Sequence, residues 1–224
     1  MEKGIAIFDL SDTLINTSAV WKTAISSLLS ELNIAFKDLK SPIYNETDAV
    51  RIMDSLLDYH RVPFTHTELT IKLGRFALAD FEKDAALMPG AIEGVKAMHS
   101  KGYYVVAIAN TNLALSELAK KKFAKELQID KWYNTRSLGV SKGDKHLYEI
   151  IAEDFGMDRN QCILIDNSEP VIKTVSKLGI KTVCVSEKSI READYNISSL
   201  YELGFKAHKN IPTKRFMFTE NLLF

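Results

Sequence analysis

The chain has 224 residues, 46% of them hydrophobic and 26% charged, the composition of a globular protein large enough to bury a substantial core. Its 29 Lys and Arg balance 29 Asp and Glu, so net charge gives no reason to expect nucleic acid or a membrane surface as a partner. No stretch approaches the ~20 apolar residues of a membrane span, and no apolar signal region opens the chain. Cys162 and Cys184 each sit inside an apolar run without ligand spacing, which makes them core residues and points to a reduced, cytoplasmic protein.

The first predicted element is a strand, GIAIFD (4–9), an apolar run that ends abruptly in Asp9 and is followed by LSDTL. Residues 16–85 hold SAVWKTAISSLLSELNI, TDAVRIMDSLLDYH and HTELTIKLGRFALADFEKDA, all with the spacing of amphipathic helices and no convincing strand among them. They are expected to form an inserted helical cap, the alternative being that they simply cover one face of a sheet. Pro89-Gly90 opens a further helix, AIEGVKAMHSKG. Short β-branched runs then return: YYVVAIAN (103–110), QCILIDN (161–167) and IKTVCVS (180–186). Such continuous apolar runs suit parallel strands buried on both faces. Between them lie helical patterns at 114–127, 145–156 and 169–179, the last ending in Gly179 as a C-cap. The alternation predicts an α/β fold, a doubly wound, Rossmann-like parallel sheet with an inserted all-helical cap domain. Residues 1–15 and 86–204 are expected to form the core domain, 16–85 the cap, and 205–224 a C-terminal extension.

In an open sheet of this kind ligands bind at the carboxyl ends of the strands. There the sequence places Asp9, then Ala109-Asn110-Thr111-Asn112, then a loop with Ser141-Lys142-Gly143, and Asp166-Asn167-Ser168. Carboxylates, a lysine and small polar groups on one rim suit a hard divalent cation and an anion held together. Magnesium takes few carboxylates, several waters and a phosphate, and Asp9 is then placed as a nucleophile toward phosphorus.

These stretches resemble the haloacid dehalogenase-like hydrolase superfamily, in its branch with a helical cap after the first strand. The resemblance spans roughly residues 4–204. FDLSDTL is similar to the family's FDLDDTL, YYVVAIANTN to its second motif, GVSKGDKHLYEIIAEDFG to its third, ILIDNSEPVIKTVSKLG to its fourth, and ADYNISSLYEL (193–203) to its closing strand and helix. The resemblance implies a Mg2+-dependent phosphohydrolase acting on a small phosphorylated molecule through an aspartyl phosphate on Asp9. Asp9, Ser11 and Lys142 occupy the catalytic positions. Thr13, Ala109, Asn110, Thr111 and Lys142 are the expected phosphate-binding set, and Asp9, Ser11, Asp166 and Asn167 the metal-side set, with Ser11 contributing its backbone carbonyl.

The chain departs from the pattern at Ser11, where the family's phosphatases carry a second Asp that protonates the leaving group. Losing such a group typically costs about 10²–10⁴-fold. The second motif normally supplies a hydroxyl. Here that position is either Ala109 or, with the strand lengthened, Thr111. Asn167 stands where many relatives have Asp. Asp12 beside Thr13 is a common family variant whose side chain is expected to leave the loop in a different direction. Three readings follow: a phosphohydrolase with weakened acid/base help, a binding protein on the same scaffold, or different chemistry. The last covers halide displacement, or phosphonate cleavage, which would need a cap lysine where Lys22 is expected to be a surface residue. Arg51, His60, Arg61, His66 and Arg75 in the helical block are candidates to reach a substrate, most of them expected to be solvated. Asp144 is expected to start a helix on which His146 rides, and Trp21 and Trp132 to serve packing. The tail 205–224, basic and then apolar, is a candidate partner or dimer contact.

Overall fold

Short apolar strands buried on both faces must sit inside a sheet covered by helices on either side. The computed structural model describes residues 4–35, 51 and 62–204. Strands β1 (Ile5–Asp9), β2 (Tyr104–Ala109), β3 (Lys131–Asn134), β4 (Cys162–Asp166), β5 (Lys181–Val185) and β6 (Tyr195–Ile197) form one sheet in the order β3-β2-β1-β4-β5-β6, every pairing parallel. The chain winds outward from β1 to β3, then crosses to β4 on the other side of β1, the doubly wound arrangement expected. Its switch point lies between β1 and β4, where such sheets bind ligands.

Among the described residues the α-helices that can be followed from end to end are α1 (Thr17–Glu31), α2 (His66–Asp84), α3 (Ala91–Ser100), α4 (Leu113–Leu127), the single turn α5 (Thr135–Leu138), α6 (Lys145–Asp154) and α7 (Glu169–Val175). Alternation along each strand sends successive side chains to opposite faces. Ala6, Phe8, Val105 and Ala107 pack beneath α3 and α4, whereas Ile5, Ile7, Val106 and Ile108 pack against Leu147, Tyr148 and Ile151 of α6. Cys162 and Cys184 are both free and buried, as their apolar setting implied.

Among the described residues, α1 and α2 are the helices that come next after β1. α1 buries Val20, Trp21, Ala24, Ile25, Leu28 and Leu29, and α2 buries Leu69, Leu73, Ala77 and Phe81, a stripe with one residue per turn. The two stripes pack on each other and run on into the core beneath α4. Asn16 caps α1, and Thr65 with Glu68 forms a capping box on α2. Lys122 of α4 donates to the carbonyls of Glu82 at 2.6 Å and Ala85 at 2.8 Å, a cation on the orphan carbonyls at the end of α2. The predicted helix TDAVRIMDSLLDYH, with His60 and Arg61, falls mostly outside the described residues, as does the tail 205–224.

The structure adds β3, which no apolar run announced. KWYN has four residues, begins with an exposed lysine and lies at a sheet edge, so it needs no continuous apolar pattern. Among the described residues no helix is long and apolar enough to cross a membrane.

Candidate active site

Register and alternation together build the charged part of the site. Phe8 pairs with Ile165, so Asp9 and Asp166 stand level at the ends of adjacent strands. Both continue the alternation of Ile5, Ile7, Cys162 and Leu164, and so fall on the face that α6 covers. Asp9 is 2% exposed and Asp166 0%. The loop leading to α6 brings Lys142 between them. Its Nζ donates to Asp9 Oδ1 and, at 3.1 Å, to Asp166 Oδ2. Tyr148, fully buried on α6, donates its hydroxyl to the Lys142 carbonyl at 2.8 Å and so fixes the backbone that carries the ammonium. Gly143 lets this loop pass close to α7, since a Cβ there would meet Thr174 Cγ2 at 3.0 Å. Asp144 caps α6, as expected, by accepting from the His146 amide at 2.9 Å, and His146 is exposed on that helix.

Burial sets the electrostatics. It pushes the Asp9 carboxyl up to about 7, against the pull of the Lys142 ammonium and with the push of Asp166. On Lys142 burial acts downward, but the two carboxylates more than reverse it and hold the ammonium above the usual lysine range. The lysine therefore stays charged. One ammonium faces two carboxylates, so the buried set carries a negative excess whenever both are ionised.

The loop after β1 is a tight turn, with the Leu14 and Ile15 amides donating to the Leu10 carbonyl at 3.1 and 2.9 Å. It returns the Thr13 hydroxyl to Asp9 Oδ2 at 3.1 Å. Asp12 sits at φ 58°, in the left-handed region, and its carboxylate accepts from the Ser18 amide at 2.9 Å. Ser11 is half-buried and faces the cavity.

The rim of β2 and β3 is neutral apart from one arginine. Ala109 continues the alternation of Val105 and Ala107, which turns its methyl into the core under α4. Asn110 and Thr111 meet the cavity in its place. Asn134, 8% exposed, donates Nδ2 to the Thr111 carbonyl at 3.0 Å and accepts from the Arg136 and Ser137 amides at 3.0 and 3.2 Å. Thr135 donates its hydroxyl to Asn110 Oδ1 at 2.9 Å. The ends of the two strands are thus tied into one frame.

These parts enclose a cavity of about 480 Å³. It brings together Asp9, Ser11, Asn110, Thr111, Lys142, Asp166 and Asn167 of the expected set. Thr13 and Ala109 are not among its lining residues. Thr13 acts on Asp9 from behind, and Ala109 leaves only its backbone near the rim. Arg51, His66 and Arg75 do not line it either, and all are exposed. Three lining residues had no functional sign in the sequence: Arg136, Trp21 and Val171. Arg136 follows the unrecognised β3. Trp21 is a core residue of α1 at 4% exposure that also shows a face to the cavity.

Comparison with known proteins agrees with this fold. Two curated relatives align over nearly the whole chain. One is hexitol phosphatase B of Escherichia coli, 23% identical over 90% of this chain and 94% of its own. The other is (S)-2-haloacid dehalogenase 4A of Burkholderia cepacia, 21% identical over 92% and 95%. Among solved structures the chain is similar to the Bacillus subtilis HAD-hydrolase YfnB bound to magnesium, with TM-score 0.71, 16% identity, and 91% and 97% of the two chains covered. A family model for haloacid dehalogenase-like hydrolases matches residues 4–179, so the chain belongs to the haloacid dehalogenase-like hydrolase family.

Proposed function

We propose that the protein is a magnesium-dependent phosphohydrolase of the helical-cap branch, working with reduced acid/base assistance. The observation that carries this reading is Lys142 held between the buried carboxylates of Asp9 and Asp166 at the base of a polar cavity. Among the described residues no group of three or more His, Cys, Asp or Glu gathers for a metal. Magnesium does not need one, because it takes one or two carboxylates and completes its shell with water and phosphate. Asp9, Asp166 and the Ser11 carbonyl fit that donor set, and the negative excess of the buried triad favours a cation. Bound there, the ion would neutralise phosphate charge.

The chain's own residues supply the rest. Asp9 attacks phosphorus, forming the aspartyl phosphate as the bond to the leaving oxygen breaks. Lys142 and the Asn110–Thr111 edge hold phosphoryl oxygens, and Thr13 orients the nucleophile through its hydrogen bond to Oδ2. Ser11 has no carboxyl to protonate the leaving oxygen. Asp12 already accepts from Ser18 and belongs to the turn. The leaving group must depart as an anion, which favours acyl and aryl phosphates over alkyl phosphates. Water then hydrolyses the acyl phosphate slowly. The family includes both phosphatases and dehalogenases. Asp166 facing Asp9 with a shared lysine favours the phosphoryl chemistry. Ser11 together with the inward-turned Ala109 methyl favours a second reading, a phosphate-binding protein without turnover.

A time course with acetyl phosphate and phenyl phosphate, with and without magnesium, separates the two. Magnesium-dependent turnover that vanishes in Asp9→Asn supports the hydrolase. Absence of turnover, with none gained in Ser11→Asp, leaves the binding reading.

A further inference from the structure

The cavity has one more cationic wall than the transferred phosphoryl group requires. Lys142 is bound to Asp9 and Asp166 at the base, beside the nucleophile. Arg136 is the other basic residue lining the cavity, and it sits at the mouth on an exposed turn. It follows β3, which is separated from β1 by β2. At a strand spacing of about 4.8 Å its backbone lies roughly 10 Å across the sheet from that of Asp9. Its mounting is rigid: Asn134 Oδ1 accepts from the Arg136 amide at 3.0 Å, while Asn134 Nδ2 holds Thr111. Trp21 of α1, 4% exposed, also lines the cavity with part of its ring system. A planar guanidinium in such a place matches a carboxylate or a second phosphate in bidentate fashion.

Resting on the phosphohydrolase reading, we infer that the preferred substrate carries a second anionic group on its leaving portion, received by Arg136, with the body of that portion against Trp21. Arg136 is then the specificity-determining residue of the site. A solvated surface arginine would show no such selectivity, and that difference is measurable.

The probes are 3-carboxyphenyl phosphate and its neutral counterpart 3-carbamoylphenyl phosphate, two aryl esters that need little help in leaving. The natural protein should prefer the carboxylate by about tenfold in kcat/KM, the size of a partly solvated charge-assisted pair. In Arg136→Met that ratio should fall to about one, and Arg136→Lys should keep part of it. No preference in the natural protein, or an equal loss on both esters in Arg136→Met, overturns the inference; the latter places Arg136 on the transferred phosphoryl group itself. Turnover of the neutral ester tests the hydrolase reading alone. Should neither ester be hydrolysed, that reading falls, and the same ratio is read from calorimetric affinities of the two corresponding arylphosphonates. Equal affinities then overturn the role of Arg136.

Discussion

Each half of the sheet's carboxyl rim withdraws a polar cluster from water, and the two clusters are differently made. On the β1/β4 half, Asp9, Asp166 and Lys142 are ionisable and withdrawn from water. On the β2/β3 half, Asn134 and Thr135 are withdrawn as far, but they are neutral and their hydrogen bonds run to backbone and amide groups. A neutral satisfied network costs little to bury and holds its geometry at any ordinary pH. A buried ion set with unequal charge depends on what balances it. The first half is therefore the part that answers to cations, anions and protons, and the second is the frame that keeps the cavity open beside it.

The comparison breaks most readily at Lys142. Lys142→Met leaves Asp9 and Asp166 facing each other without a cation, and should cost about 3–5 kcal/mol at neutral pH without divalent ions. Urea unfolding measures it. A loss below about 1 kcal/mol, the worth of an exposed pair, would mean that water reaches the triad and that the halves do not differ as described.

Ser11→Asp sharpens the comparison by adding the carboxyl that the charged half lacks. On the phosphohydrolase reading it should raise turnover of an alkyl phosphate about 10²-fold, the lower end of general acid catalysis. The gain on an aryl phosphate should be much smaller, because that leaving group needs no proton. Equal gains on both would show that the added group acts on water rather than on the leaving oxygen.

The charged half was largely legible in the sequence, and the framing half was not. Asp9 and Asp166 end apolar runs abruptly, and Lys142 stands in a polar loop before a helical pattern, so each carries a local sign. Their meeting required only the parallel sheet. Asn134, Thr135 and Arg136 carry no such sign. β3 is a four-residue edge strand beginning at an exposed Lys131, and edge burial leaves no continuous apolar run to read. The second motif was legible only up to its register. Whether Ala109 or Thr111 meets the cavity depends on which residue ends β2 and on the parity of that strand, and one residue of slip reverses every side chain.

Asn134→Ala tests the framing half. It removes the donor to Thr111 and the acceptor for the Arg136 and Ser137 amides, and should cost about 1–3 kcal/mol of stability. The loss should be nearly the same at pH 5 and pH 8, since neither the asparagine nor its partners titrate there. It should also raise KM more than it lowers kcat, because the displaced groups position substrate without reacting. A strongly pH-dependent loss would tie the neutral half to the charged one and dissolve the distinction.

The most direct reading of the charged half comes from its response to pH. Burial raises the Asp9 carboxyl from an ordinary 3.8 to about 7 in the folded protein. The unfolded chain therefore loses its proton first as pH rises. The stabilising contribution of this group is whole below about pH 4 and is lost as pH climbs through about 7. Asn cannot titrate at this position. Asp9→Asn should therefore match the natural protein near pH 4 and exceed it at pH 8, in the presence of a chelator, by up to about 4 kcal/mol. Each pH unit over which only the folded state keeps the proton is worth about 1.4 kcal/mol. Thermal melts at pH 4.5, 6 and 8 read the divergence. Added magnesium should narrow it, because a cation bound to the ionised carboxylate stabilises only the natural protein by mass action. A variant that is less stable at pH 8 would show that the attraction between Lys142 and Asp9 outweighs the cost of burial. The charged half would then be as settled as the neutral one, with no excess charge left for a cation to balance.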